Sequence, residues 1–341
     1  MRLAFVLLAG VILAFIPACK NQSPNQQQRR TVVLYCSVDQ EIAEPIVALY
    51  EKRSGVKVLA RYDVEASKTV GLVQKIRAES ASPLADVFWS NEPFYTVRLA
   101  REGLLAARDP DDKAIQGWPA QFRDAQNRWH GFALRARVIA YSARRVSAEQ
   151  APKKLEDLLD AKWKGRLVMA RPEFGTTGGD VASWFAHYGP DKAREILRGL
   201  KANNVRLVDG NSTAMRAVVN GLADIALTDS DDVYAQQRNG QDVAFHYLDQ
   251  GGDGVLTIPN TVAIVKGAPH AAEAAALMDF IAGAEVEKLM VAGDGHYTPI
   301  RPDLAAGFPQ YAIDKPLRIE YEKVADHLNE AIQAAQDIFK D

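Results

Sequence analysis

Thr31-Val-Val-Leu-Tyr-Cys36 is apolar and β-prone from end to end, the pattern of a strand buried on both faces of a parallel sheet. The segments after this strand decide the class. Ile46, Leu49 and Tyr50 fall on one face of a helical stretch. Pro45 suits a first turn, which predicts a helix from about Glu44, and Gly55 is its stop. Val56-Lys-Val-Leu-Ala60 is a second strand, and Val70, Val73 and Ile76 predict a helix over 67–79. Ala85-Asp-Val-Phe-Trp89 is a third strand, followed by a helix over 95–101 that ends at Gly103. The order βαβαβα predicts an α/β fold with parallel strands and right-handed crossovers.

Toward the C-terminus the pattern changes. Trp129-His-Gly-Phe-Ala-Leu134 and Arg137-Val-Ile-Ala-Tyr141 are two strand-like runs with Arg135 between them. Arg135 and Arg137 alternate, so one is expected to face a cleft and the other solvent. A second α/β block comes next, with strands at 164–169, 205–208 and 223–228 and helices at 176–188 and 212–220. Gly254-Val-Leu-Thr-Ile258 leads through Pro259-Asn260 into Thr261-Val-Ala-Ile-Val265. Helices are expected over 271–281, 285–292 and 319–339. The 341 residues exceed what one core usually supports, so two lobes are expected.

Toward the N-terminus, Arg2 precedes an uncharged run from Leu3 to Ile16, about 21 Å as a helix and short of a ~30 Å hydrocarbon core. A short positive region, an apolar stretch and small residues mark an export signal. Residues 21–30 read as a polar tether with no apolar residue to bury. Cys36 lies in an apolar run and reads as a buried thiol. Lys plus Arg number 41 and Asp plus Glu 43, a formal charge of −2 that argues against a dedicated nucleic-acid binder.

The motif order resembles a known family. Val33-Leu-Tyr, Tyr50-Glu-Lys-Arg-Ser-Gly-Val-Lys-Val58, Pro83-Leu-Ala-Asp-Val-Phe-Trp-Ser90 and Gly103-Leu-Leu are similar to the first lobe of type 2 periplasmic solute-binding proteins of ABC importers. Arg135-Ala-Arg-Val-Ile-Ala-Tyr141, Lys162-Trp-Lys-Gly-Arg166, Val219-Asn-Gly-Leu-Ala-Asp-Ile-Ala226 and Tyr297-Thr-Pro-Ile300 extend the likeness over the mature chain. Within extracellular solute-binding protein family 1, it is closest to the ferric-iron-binding group. The resemblance implies the two-lobed type II fold, each lobe a mixed, mainly parallel sheet flanked by helices, with two crossover strands as hinge. Lobe one would be 31–134 plus 259–341, and lobe two 135–258. Ile16-Pro17-Ala18-Cys19 resembles a lipobox. It implies a signal peptide over 1–18, lipidation of Cys19, and a tether over 19–30 that holds a monomer at the membrane, in the periplasm or on the cell surface. The implied partners are ABC importer permease subunits.

Ligands in open α/β sheets sit at the carboxyl ends of strands, so the loops there hold the candidates. Asp39 falls where ferric-binding relatives place a metal-ligating His, and Asn91 where they place a Glu; Glu92 is one residue further. Asp231 and Asp232 fall where relatives have paired tyrosines, and Tyr234 lies two residues on. With Asp229 these carboxylates read as a hard-cation site, or as acidic caps in a helix's first turn. Gly175, Thr176 and Thr177 open a helix and offer backbone N–H groups to an anion. Asn211 matches another anion contact of the family, or is an N-cap. Arg135 would pair with a carboxylate or hold carbonate or phosphate. The cargo implied is Fe³⁺ or another hard cation with a synergistic anion. The alternatives are a zwitterionic solute such as an aminophosphonate, or a polyamine held with Trp89 or Tyr234 as a cation–π wall. A ligand sensor is a more remote reading. No G-x-S-x-G, H-E-x-x-H, Walker A or C-x-x-C motif supports an enzyme.

Overall fold

The computed structural model describes residues 30–63, 67, 69–112, 118–293 and 295–340. The segments expected to be signal peptide and tether, Cys19 included, lie outside them except for Arg30. Nine strands are present among the described residues: β1 Thr31–Cys36, β2 Lys57–Tyr62, β3 Val87–Ser90, β4 His130–Ser142, β5 Leu167–Ala170, β6 Arg206–Val208, β7 Ile225–Asp229, β8 Val243–Tyr247 and β9 Thr257–Ile264. The helices are α1 Gln40–Ser54, α2 Val70–Ala78, α3 Phe94–Arg101, α4 Gly175–Tyr188, α5 Pro190–Ala202, α6 Asn211–Val219, α7 Ser230–Arg238, α8 Ala271–Ile281, α9 Ala284–Ala292, α10 Pro302–Ala306 and α11 Tyr321–Phe339. None of the described helices is long and apolar enough to cross a membrane.

The strand order is β2-β1-β3-β9-β4-β7-β5-β6, with β8 also on β4. β1 pairs in parallel with β2 and β3, as the βαβαβ pattern predicts. β5 likewise pairs in parallel with β6 and β7. The antiparallel strand β4 joins these two parallel groups. Its residues His130–Ala136 pair with β9, and Arg137–Tyr141 pair with β7. The Arg137 N–H reaches the Leu256 carbonyl at 3.1 Å, where the chain returns alongside. Between them α11 lies against α4 and α5 on one side and α3 on the other. Arg194 to Glu330 at 2.9 Å and Arg98 to Asn329 at 2.7 Å tie both sides to it.

Several local expectations change. The two runs at 129–134 and 137–141 are one strand, bulged between Phe132 and Leu134. The runs either side of Pro259 are also one strand. Pro259 sits opposite Leu134 at that bulge, and Leu134 exchanges its backbone bonds with Thr298 instead, at 2.7 and 2.8 Å. A residue without an N–H is tolerated where the ladder is already interrupted. α1 starts at Gln40 rather than Glu44, so Pro45 lies inside it. Burial of Ala43, Ile46, Val47 and Tyr50 on one face outweighs the single bond lost. Three elements escape the sequence reading, the short α10 among them. Gly189-Pro190 opens α5 with the proline at its first position, and half-buried β8 lines the edge of β4.

Candidate functional site

The carboxyl ends of β1, β3, β5, β6 and β7 converge on a cleft of about 410 Å³, its open mouth included. Asp39, Asn91, Arg135, Gly175, Thr176, Thr177, Asn211, Asp231 and Asp232 all line it, together with Asp229. Glu92 and Tyr234 do not.

β7 ends at Asp229 and α7 begins at Ser230, so three carboxylates follow one another through a strand-to-helix junction. Asp229, Asp231 and Asp232 each offer an oxygen within 4.8 Å of the others. Such proximity is repulsive unless positive charge compensates it. Arg137 supplies part of that charge. Its Nη1 donates to Asp229 Oδ1 at 2.7 Å and its Nε to Asp180 Oδ2 at 2.9 Å, all three side chains being buried. Asp229 Oδ2 also accepts from Thr176 Oγ1 at 2.5 Å and Asn211 Nδ2 at 2.9 Å. Burial alone would raise the Asp229 carboxyl, but Arg137 and Arg135 hold it below the usual range. Burial pushes Asp180 up, against the pull of Arg137.

The expectation that one arginine faces solvent is corrected. Residues two apart on a strand share a face, and both guanidiniums are buried on it. Arg135 Nη1 lies 3.4 Å from both Asp229 and Asp231, and its Nη2 donates to the Asn91 carbonyl. Asp231 also accepts from the Tyr297 hydroxyl at 3.4 Å. Burial, then Asp231, raises the Tyr297 phenol well above its ordinary value. Asp232 accepts from Ser212 Oγ and Thr228 Oγ1, each at 3.0 Å.

In the Gly-Thr turn the hydroxyls have a use beside that expected of the backbone N–H groups. Thr176 Oγ1 is committed to Asp229, and Thr177 Oγ1 donates to Asn211 Oδ1 at 3.1 Å. The hydroxyls therefore organise a carboxylate. Gly175 adopts φ +57°, left-handed backbone that favours glycine, with open space where a Cβ would stand.

Glu92 turns the other way. It is fully buried and accepts the backbone N–H groups of Phe94 at 2.6 Å and Tyr95 at 3.2 Å, capping α3. Burial pushes its carboxyl up to about 7. Tyr234 stands two residues past Asp232 but three past Asp231 on α7, a spacing that would allow a shared face, yet it does not line the cleft. Its ring instead meets Phe245, His296 and Tyr311, with centroids 5.3, 5.2 and 5.5 Å away. Trp89 is wholly buried. A polyamine would thus lack both aromatic walls offered to it. Two further residues escape the sequence reading: Asp209, which lines the cleft directly before Gly210, and Tyr297. Loop position after β6 could have flagged Asp209; Tyr297 opens the Tyr297-Thr-Pro-Ile300 motif, but its contact with Asp231 spans 66 residues and leaves no local mark.

Two parallel half-sheets joined by exchanging strands, with a polar cleft at their carboxyl ends, are the architecture expected of a solute-binding protein. A family model described as bacterial extracellular solute-binding protein matches residues 32–292, and the chain belongs to that family. Iron uptake protein A2 of Synechocystis sp. is 28% identical over 297 residues, 82% of this chain and 82% of the relative. A periplasmic protein of Salmonella typhimurium, whose name proposes 2-aminoethylphosphonate as ligand, is 28% identical over 77% of this chain and 75% of its own. Iron-bound HitA from Pseudomonas aeruginosa superposes with a TM-score of 0.81 at 26% identity, covering 91% of this chain and 100% of that one. The two-lobed fold expected from the sequence is the fold of these neighbours.

Proposed function

We propose that this protein captures ferric iron, or another hard cation, in the interlobe cleft together with a synergistic anion such as carbonate or phosphate. The observation that carries the reading is the convergence of Asp229, Asp231 and Asp232 oxygens within 4.8 Å at the strand ends. Oxygen-only donors suit hard cations. Asp39 and Asp209 are further carboxylates on the cleft wall, while Tyr234 and Glu92 leave the ligand set. Names of relatives, iron uptake protein A2 among them, support iron as the cargo. The remaining steps are part of the same reading. Cys19 carries the lipid, the periplasm or cell surface is the location, and a monomer delivers its cargo to ABC permease subunits. Lobes 31–134 plus 259–341 and 135–258 close about the crossing strands. The exchange of β4 partners between Ala136 and Arg137 supports those boundaries.

Calorimetry with ferric nitrilotriacetate tests it. Asp231→Ala/Asp232→Ala is expected to lose at least a hundredfold in affinity, and unchanged affinity rejects the assignment. A second reading, a zwitterionic aminophosphonate, draws on Arg135 standing among the carboxylates. It predicts thermal stabilisation of chelator-treated protein by 2-aminoethylphosphonate and none by metal.

A further inference from the structure

Arg135 and Arg137 lie two residues apart on β4 and approach the same carboxylate, yet they are held very differently. Arg137 makes charge-assisted bonds of 2.7 and 2.9 Å, the length expected of a settled pair. Both carboxylate contacts of Arg135 are stretched to 3.4 Å. Its Nε is buried with no hydrogen-bond partner, although its side chain is only 6% exposed. Arg137 also leaves one buried donor, Nη2, without a partner, so what sets Arg135 apart is the length of its carboxylate contacts and its place on the cleft wall. Arg135 also borders the cleft, between two of the three clustered carboxylates.

We propose that Arg135 is a resident counter-cation of the cleft: it occupies the carboxylates in the ligand-free protein, and an incoming metal ion must displace it. The inference rests on the cation reading above. It makes Arg135 a threshold in the cleft, which an ion must overcome to bind at all, rather than a selector between ions that pass it. Moving the guanidinium aside costs the same whatever ion arrives, whereas attraction to the carboxylates grows with the charge of the ion. A monovalent ion replaces one positive charge with another and gains little. A trivalent ion gains most. The cleft thereby rejects abundant low-charge cations without a size filter, and its acidic loop stays neutralised while it waits.

The test compares chelator-treated wild type with R135Q, using gallium(III) nitrilotriacetate and manganese(II) chloride as probes in calorimetry. Glutamine keeps a donor for the Asn91 carbonyl and removes the charge. R135Q is expected to bind both ions at least tenfold more tightly. Millimolar methylguanidinium is expected to reverse that gain in R135Q and leave wild type unaffected, a response that a merely structural role would not produce. If wild type binds metal and folded R135Q binds equally or more weakly, this inference fails and the cation reading stands. If neither protein binds either ion, both fail. Should R135Q not fold, a crystal structure of metal-loaded wild type decides. Arg135 turned away from Asp231 upholds the proposal, and Arg135 still bridging Asp229, Asp231 and the Asn91 carbonyl overturns it.

Discussion

Arg137 Nη1 and Asp229 Oδ1 meet 2.7 Å apart with neither side chain reaching solvent, and Asp180 closes on the same guanidinium from α4. The crossing strand, the end of β7 and a helix of the second parallel group are thus joined by one buried cation. Removing one partner of such a set strands the others without compensation, at a cost of about 3–5 kcal/mol. Arg137→Met is expected to destabilise the fold by that amount in urea unfolding. Adding Asp180→Asn is expected to recover part of the loss, because the two sites share a partner. A loss below about 1 kcal/mol would show that the aspartates need no counter-ion.

Tyr234 separates a ligand from a packing residue. Its ring joins α7 to His296 and Tyr311, themselves stacked with centroids 4.9 Å apart. Tyr234→Phe keeps the rings and loses only a hydroxyl contact, so metal affinity in calorimetry is expected to stay within a factor of two. Tyr234→Ala is expected to cost about 2 kcal/mol of stability. A large loss of affinity in Tyr234→Phe would return the hydroxyl to the ligand set.

Glu92 predicts a pH signature. Its ordinary value is 4.5, and burial raises it to about 7 in the folded chain. The folded state therefore holds the proton more tightly than the unfolded state. This contribution favours folding at pH below 4.5, fades as pH rises through the window up to about 7, and is then fully lost. The span corresponds to roughly 3 kcal/mol at most. Glu92→Gln is expected to flatten that part of the profile, gaining on wild type between pH 4.5 and about 7. Parallel profiles for the two proteins in guanidinium unfolding would contradict it.

Gly179 on α4 faces the Phe94 ring of α3 so closely that a Cβ would stand 2.0 Å from a ring carbon. Gly179→Ala must push that ring aside, an overpacking cost of about 1–3 kcal/mol. Thermal unfolding should show the loss, and Phe94→Leu in the same chain should restore part of it. Additive effects of the two changes would mean that the helices do not meet there.

Much of the parallel framework is legible in the sequence because it is local. Thr31–Cys36 and Val87–Ser90 are short apolar runs between helix patterns, and burial on both faces leaves that mark in any chain. The loops after the strands follow from the same order, and Asp39, Asn91, Gly175, Asn211, Asp231 and Asp232 in those loops line the cleft. Tyr234 and Glu92 depart from that pattern. Tyr234 packs instead against the rings of Phe245, His296 and Tyr311, which other segments of the chain bring to it. Glu92 has the composition of a ligand but sits where α3 needs a cap.

The chain's own pattern decided the alternation of strands and helices, the family, and which loops carry oxygen donors. Packing decided how those donors are charged. Asp229 and Arg137 are 92 residues apart, and Tyr297 and Asp231 are 66 apart. No periodicity encodes such pairs, because a side chain's charge and hydrogen-bond state depend on what other segments bring within a few ångströms and on how completely they exclude water.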